Sequence, residues 1–212
     1  MTSNVLEEKL SDQKVPPPGP VTFEEFLAWC DEDTHAEWVD GEIIMRSPAS
    51  DQHQDLSDFL ITAMRLFNEA HQLGWIRSAP FLMRTDVKPS GREPDMLFVI
   101  KERMHLVQPA FLDGPADLIV EIVSPESIGR DRGEKFVEYE AAGVGEYWLI
   151  DPLRKQAEFY QLDDQGLYRA APPDASGIYH SNVLKEFWLR VAWLWQSPLP
   201  PVLSVLKELG VL

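Results

Sequence analysis

The sequence feature that most constrains the fold is the segment DLIVEIV at residues 117–123. A run of apolar, mostly β-branched residues is typical of a strand in the interior of a buried sheet. Ser124-Pro125 ends this run, a helical period follows at residues 130–142, and a further strand pattern, EYWLI, occupies residues 146–150. This strand–helix–strand order predicts a mixed α/β fold.

Three signals organise the N-terminal half. Thr22, followed by two glutamates and apolar residues, predicts the start of a helix. Asp40-Gly41 between apolar pairs predicts a two-residue β-hairpin turn. Apolar residues then form one helical stripe over residues 50–73, and Gly74 is the predicted stop of that helix.

The remaining patterns complete a single domain. Residues 1–20, which end in a proline-rich run, are predicted to be a flexible arm and linker. The single domain is predicted to span residues 21–212. Further predicted elements are strands at 75–79, 81–87, 96–100 and 157–161, a turn at 88–91 and a short C-terminal helix.

Composition excludes several classes of protein. The chain has 44% hydrophobic residues, which is ordinary for a globular protein and too high for a disordered one. No segment approaches the roughly 20 continuous apolar residues of a membrane span, and the N-terminus lacks the apolar core of a signal peptide. We therefore expect a soluble, cytoplasmic protein without membrane contacts. The single cysteine, Cys30, excludes an internal disulfide framework and a multi-cysteine zinc site.

The net charge of −16 comes from 19 Lys and Arg against 35 Asp and Glu. A charge of this sign repels polyanions, which argues against sequence-independent electrostatic binding of nucleic acid. It leaves open a local basic groove, or a group of carboxylates that holds a divalent metal. The nearest basic stretch consists of Arg84, Lys88, Arg92, Lys101 and Arg103, interspersed with acidic residues.

Two carboxylates stand in or beside predicted buried strands. Asp95 directly precedes the run MLFVI, and Glu121 interrupts LIVEIV, where Val120 and Ile122 are expected to face the opposite side. Two carboxylates on neighbouring strands would form the oxygen-rich site that Mg²⁺ or Mn²⁺ prefers. The alternative is that each carboxylate lies on an exposed face or pairs with an arginine. Lys135 lies four residues after Asp131 on one helical face, and a solvated lysine is the ordinary interpretation of that pattern.

Four segments together resemble a known family. They are EWVDGEI, REPDMLFV, DLIVEIVSPES and DRGEKFVEYEAAGVGEYWLIDP, and their order resembles that of the Uma family of predicted restriction endonucleases, part of the PD-(D/E)XK nuclease superfamily. The resemblance covers nearly the whole domain. It implies a restriction-endonuclease-like core, in which a mixed central sheet is flanked by helices, and an N-terminal hairpin.

The resemblance also implies a set of site residues. Asp95 and Glu121 match the two metal-binding carboxylates, and Lys135 matches a catalytic lysine that has moved to the helix after the second strand. The usual lysine position, two residues after Glu121, is Val123 here. Glu37 and His53 match recurrent positions beside the site, although a helix-entry histidine also forms local hydrogen bonds.

The implied activity is hydrolysis of phosphodiester bonds by a Mg²⁺- or Mn²⁺-dependent endonuclease, with DNA as the expected substrate. A homodimer would allow both strands to be cut. Two alternatives stay open at this point. One is a nuclease-fold binding or accessory module with little or no catalysis, and the other is a hydrolase of a smaller phosphate ester.

Overall fold

The computed structural model describes residues 15–31 and 33–212, so most of the predicted N-terminal arm lies outside the described residues. These ranges contain four α-helices: α1 Phe23–Trp29, α2 Asp51–His71, α3 Lys135–Ala142 and α4 Val202–Glu208. The strands are β1 Ala36–Val39, β2 Glu42–Met45, β3 Gly74–Ser78, β4 Leu82–Thr85, β5 Ser90–Arg92, β6 Met96–Ile100, β7 Phe111–Asp113, β8 Leu118–Ile122, β9 Glu146–Asp151, β10 Gln156–Leu162, β11 Tyr168–Ala170, β12 Ile178–His180 and β13 Trp188–Arg190. The predicted mixed α/β fold is confirmed. Within the described ranges, no helix combines the length and the apolar character needed to cross a membrane.

The larger sheet has six strands in the order β11-β10-β9-β8-β6-β3. Its only parallel pair among the described strands is β8 with β9, which α3 connects, while the other pairs are antiparallel. All five residues of β8 are buried, as the apolar run predicts. Val120 and Ile122 pack in the cluster that includes α2, whereas Ile119 packs on the opposite face with Tyr139 of α3. The alternation predicted around Glu121 is therefore present.

A second sheet of five strands, called the smaller sheet below, has the order β2-β1-β5-β4-β7 and packs against α1, and β12 and β13 form a separate two-stranded sheet. The predicted hairpin between β1 and β2 is confirmed, with positive φ angles of 50° at Asp40 and 90° at Gly41. The predicted turn at 88–91 is wrong in its second half, because Ser90 and Gly91 belong to β5 and pair with β1 and β4. A Cβ at Gly91 would lie 2.5 Å from the ring of Phe23, so this strand position requires glycine.

The long helix α2 begins as predicted, with the Ser50 hydroxyl accepting a hydrogen bond from the backbone N–H of His53. Its end differs from the prediction. Gln72, rather than Gly74, adopts the left-handed conformation at φ 53°, and Gly74 is already the first residue of β3. Glycine is needed there for another reason, since a Cβ at Gly74 would lie 2.1 Å from the Val99 carbonyl oxygen.

The two sheets and α3 meet at one place. Residues 93–95 carry the chain from β5 of the smaller sheet directly into β6 of the larger sheet. The helix predicted at residues 130–142 begins with a π-helical turn, Arg130–Glu134, and continues as α3. π-helical turns are often found at functional sites. The junction therefore brings side chains from both sheets to the start of α3.

Candidate active site

Asp95, Glu121 and Lys135 lie close together at this junction. In the antiparallel pairing of β6 with β8, Met96 lies opposite Val120, which places Asp95 beside Glu121. Asp95 Oδ2 accepts a hydrogen bond of 2.7 Å from the backbone N–H of Ile122. Lys135 Nζ donates to Glu121 Oε1 at 2.8 Å. All three side chains are buried, so the carboxylates are not on an exposed face and Lys135 is not a solvated lysine.

Glu37 and His53 both join this cluster. Glu37, on β1, has its Oε1 atom 3.0 Å from Lys135 Nζ. His53, in the first turn of α2, has its Nε2 atom 3.1 Å from Asp95 Oδ2. Within the described residues, the other ring nitrogen, Nδ1, is buried and has no hydrogen-bond partner. Both residues predicted to lie beside the site therefore contact its central side chains.

Arg46 is part of the site and was not found from the sequence. It directly follows β2, and its side chain reaches Asp95 Oδ1 at 3.0 Å and Glu93 Oε1 at 3.1 Å. An arginine at the end of an amphipathic hairpin is ordinary in sequence. Only the packing of this hairpin against residues 93–95 gives it a place in the site.

A second arginine, Arg92 on β5, is completely buried behind the cluster. Its guanidinium bonds to Glu37 Oε2 at 3.0 Å and to Glu138 Oε2 at 2.8 Å. The Ser90 hydroxyl donates to the other oxygen of Glu138. Because Lys135 and Glu138 lie one turn apart on α3, this network anchors the helix that carries Lys135.

The predicted basic stretch is not available for phosphate contacts as a unit. Arg92 is buried, Arg84 pairs with Asp113, and Arg103 pairs with Asp117. Only Lys88 and Lys101 of that stretch are exposed and lack an ion pair among the described residues. These five residues therefore do not form one continuous patch of unpaired basic side chains.

Burial and charge set distinct protonation states in the cluster. Burial, reinforced by the charges of Asp131 and Asp95, raises the pKa of Glu121 to about 8 against the opposing effect of Lys135. Burial alone would lower the pKa of Lys135, but the surrounding acids, with Glu121 first, outweigh it and raise that pKa. Lys135 is therefore a protonated cation at neutral pH. Burial also raises the pKa of Glu37, but the charges of Lys135 and Arg92 outweigh it and bring this pKa down to about 2.

The low pKa of Glu37 predicts a loss of stability in acid. The ionised form is favoured in the folded state, so its contribution is complete above the ordinary pKa of 4.5 and is lost as the pH falls toward about 2. We expect about 3 kcal/mol of the free energy of unfolding to disappear across this window. Urea unfolding between pH 5 and pH 2.5 would measure it, with Glu37→Gln for comparison. Equal pH dependence in both proteins would contradict the assignment.

The donor set fits a hard divalent metal. Asp95 and Glu121 supply neighbouring carboxylates, and burial, with the charges of Asp131 and Asp95, raises the pKa of Glu121. Among the residues described, no three His, Cys, Asp or Glu side chains form a complete cage for an ion. Two carboxylates, with water or substrate oxygens in the remaining positions, match the ordinary coordination of Mg²⁺ in enzymes that act on phosphates.

The cluster opens into a cleft of about 1010 Å³. Asp95, Glu121, Lys135, Arg46 and His53 line it together with the start of α2 and the loop that follows β8. The carboxylates are therefore buried among protein atoms and still face a space that a substrate can enter.

Comparisons with known proteins place the chain in a family. The family model of Uma2, described as "Putative restriction endonuclease", matches residues 23–192. Among solved structures, the fold is similar to a putative nuclease of DUF820 from Anabaena variabilis, with a TM-score of 0.69 and 17% sequence identity over 83% of this chain and 98% of that one. No curated protein matches the sequence. At this identity the structural likeness shows the fold, and the family match supports a nuclease function. Because the family model covers most of the domain, the chain belongs to the Uma2 family.

Proposed function

We propose that this protein is a Mg²⁺- or Mn²⁺-dependent endonuclease that hydrolyses phosphodiester bonds in DNA. The observation that carries the proposal is the buried group of Asp95, Glu121 and Lys135, which lines an open cleft. Membership of the Uma2 family supports the same reaction class.

The charge of each site residue indicates its role in the proposed reaction. Asp95 and Glu121 would hold the metal, and a bound metal supplies a water of lowered pKa and neutralises charge on the phosphoryl oxygens. Lys135 is protonated, so it acts as a cation that stabilises negative charge developing on the phosphate and not as a general base. His53 Nε2 hydrogen-bonds Asp95 Oδ2 and orients that carboxylate.

The lysine on α3 substitutes for the one missing after Glu121. Val123 is buried in the apolar core, yet Lys135 Nζ reaches Glu121 Oε1 at 2.8 Å from the helix. A lysine in contact with Glu121 favours catalysis over the alternative of an inactive binding module. The net charge of −16 bears on affinity for DNA more than on chemistry.

Nicking of supercoiled plasmid DNA at low salt tests the proposal. We expect nicking with Mg²⁺ or Mn²⁺ and none in EDTA, because the carboxylates need an ion to act on phosphate. Asp95→Asn, purified in parallel, controls for contaminating nucleases and should not nick. Equal nicking by Asp95→Asn, or nicking in EDTA, would overturn the proposal.

The same preparations separate the alternatives. Bis(p-nitrophenyl) phosphate serves as a generic phosphodiester at matched Mg²⁺. Hydrolysis of this ester without nicking of DNA would replace the proposed substrate with a smaller phosphate ester. Binding of metal and DNA without hydrolysis of either substrate would favour the binding module.

A further inference from the structure

Arg46 holds one oxygen of a proposed metal ligand. Asp95 Oδ2 is bonded to the backbone N–H of Ile122 and to His53, whereas Oδ1 is bonded to Arg46 at 3.0 Å. The guanidinium also donates to the backbone carbonyl and the side chain of Glu93. Of the two oxygens of Asp95, Oδ1 is therefore the one held by a long, partly exposed side chain.

Arg46 is less enclosed than Lys135. The Arg46 side chain is 21% exposed and borders the cleft, while Lys135 is 3% exposed and ion-paired with three carboxylates. The backbone N–H of Arg46 is fixed to the His35 carbonyl at 2.9 Å. The long side chain can therefore move into the cleft while its backbone stays in the hairpin.

A divalent cation and a guanidinium repel each other strongly when they share one carboxylate. We propose, on the basis of the function proposed above, that Arg46 is an internal counter-ion that leaves Asp95 when a divalent metal binds and then pairs with a phosphate of the substrate. Arginine suits both roles, because its planar donors match carboxylate and phosphate equally. Asp95 thereby has a counter-ion in the metal-free site, and the guanidinium is released toward the substrate when the metal is in place.

Calorimetric titration of Mn²⁺ without DNA tests the first half of this inference. Arg46→Gln should bind Mn²⁺ at least about tenfold more tightly than the wild type, because the competing charge is gone. Arg46→Lys keeps the charge and should bind like the wild type. The matched control is Arg130→Gln, since Arg130 also lines the cleft but has no ion pair among the described residues. It should leave Mn²⁺ affinity unchanged.

DNA binding in Ca²⁺ tests the second half. Arg46→Gln should bind a DNA duplex about tenfold more weakly than the wild type in Ca²⁺, despite its tighter metal binding. This combination of opposite changes is not expected from a merely structural arginine. If Arg46→Gln folds poorly, NMR of the wild type provides a second measurement. The Nε–Hε signal of Arg46, assigned by its absence from the spectrum of Arg46→Lys, should shift on saturation with Mg²⁺.

The outcomes separate this inference from the proposed function. Wild-type binding of Mn²⁺ with equal or weaker binding by Arg46→Gln would overturn the counter-ion role and leave the nuclease proposal intact. An Arg46 NMR signal that does not change with Mg²⁺ would also overturn the counter-ion role and leave the nuclease proposal intact. Absence of Mn²⁺ binding in every protein would overturn both.

Discussion

Glu121→Gln is expected to abolish cleavage without weakening the fold. The neutral amide removes a metal-binding charge, so plasmid nicking should fall by about 10³-fold or more. Stability should be equal to or above that of the wild type, because burial among other acids makes the ionised Glu121 unfavourable. Because folding raises the pKa of Glu121 from 4.5 to about 8, the protonated carboxyl stabilises the folded state below pH 4.5. This contribution to the free energy of unfolding is lost as the pH rises through about 8. The gain in stability of Glu121→Gln over the wild type should therefore be largest at alkaline pH.

A variant of a second buried glutamate, Glu146, serves as the control, because it should lose stability and keep nicking activity. Glu146, at the start of β9, accepts hydrogen bonds from the Ser181 hydroxyl, the Trp148 indole and backbone N–H groups of residues 182–183, away from the cleft. Glu146→Gln replaces an acceptor with a donor in this shell, so it should lose about 1–3 kcal/mol of stability and keep nicking activity. Thermal unfolding and plasmid nicking measure both variants. Residual cleavage by Glu121→Gln near the wild-type rate would exclude Glu121 as a metal ligand.

Arg92→Met is expected to cause the largest loss of stability. Arg92 is completely buried and is bonded to Glu37 and Glu138, which are buried as well. Among the described residues, its removal leaves Glu138 without a counter-charge and Glu37 with only that of Lys135, and breaking a buried ion pair in this way costs about 3–5 kcal/mol. For a chain of this size, such a loss lowers Tm by about 10 °C or more. Urea unfolding and circular dichroism melting measure the change.

Two further variants identify the cause of that loss. Arg169→Met breaks an ion pair with Asp163 that is exposed to solvent, and it should leave Tm unchanged. The triple variant Arg92→Met, Glu37→Gln, Glu138→Gln removes the charges together and should recover part of the stability. If the triple variant is no more stable than Arg92→Met alone, lost packing rather than unpaired charge is responsible.

The sequence by itself determined most of the secondary structure and the central residues of the site. The apolar run around Glu121 predicts a buried strand, because burying apolar side chains away from water is favourable. The Asp40-Gly41 turn and the Ser50 cap are local in origin, since their hydrogen bonds and φ angles involve residues close in sequence. A carboxylate inside or directly beside an apolar strand is costly, and this cost marked Glu121 and Asp95 as candidate site residues.

Tertiary structure alone decided which other charges join these carboxylates. Ser90–Arg92 forms a strand because β1 and β4 lie on either side of it, and that pairing buries an arginine that the sequence shows only as part of a basic stretch. Arg46 reaches Asp95 across 49 positions of the chain. No local pattern encodes such a contact, because an ion pair depends on which elements pack together and not on the residues beside each partner. The strands and the two carboxylates thus follow from short-range physics, while the counter-ions that set their charge depend on how the two sheets meet.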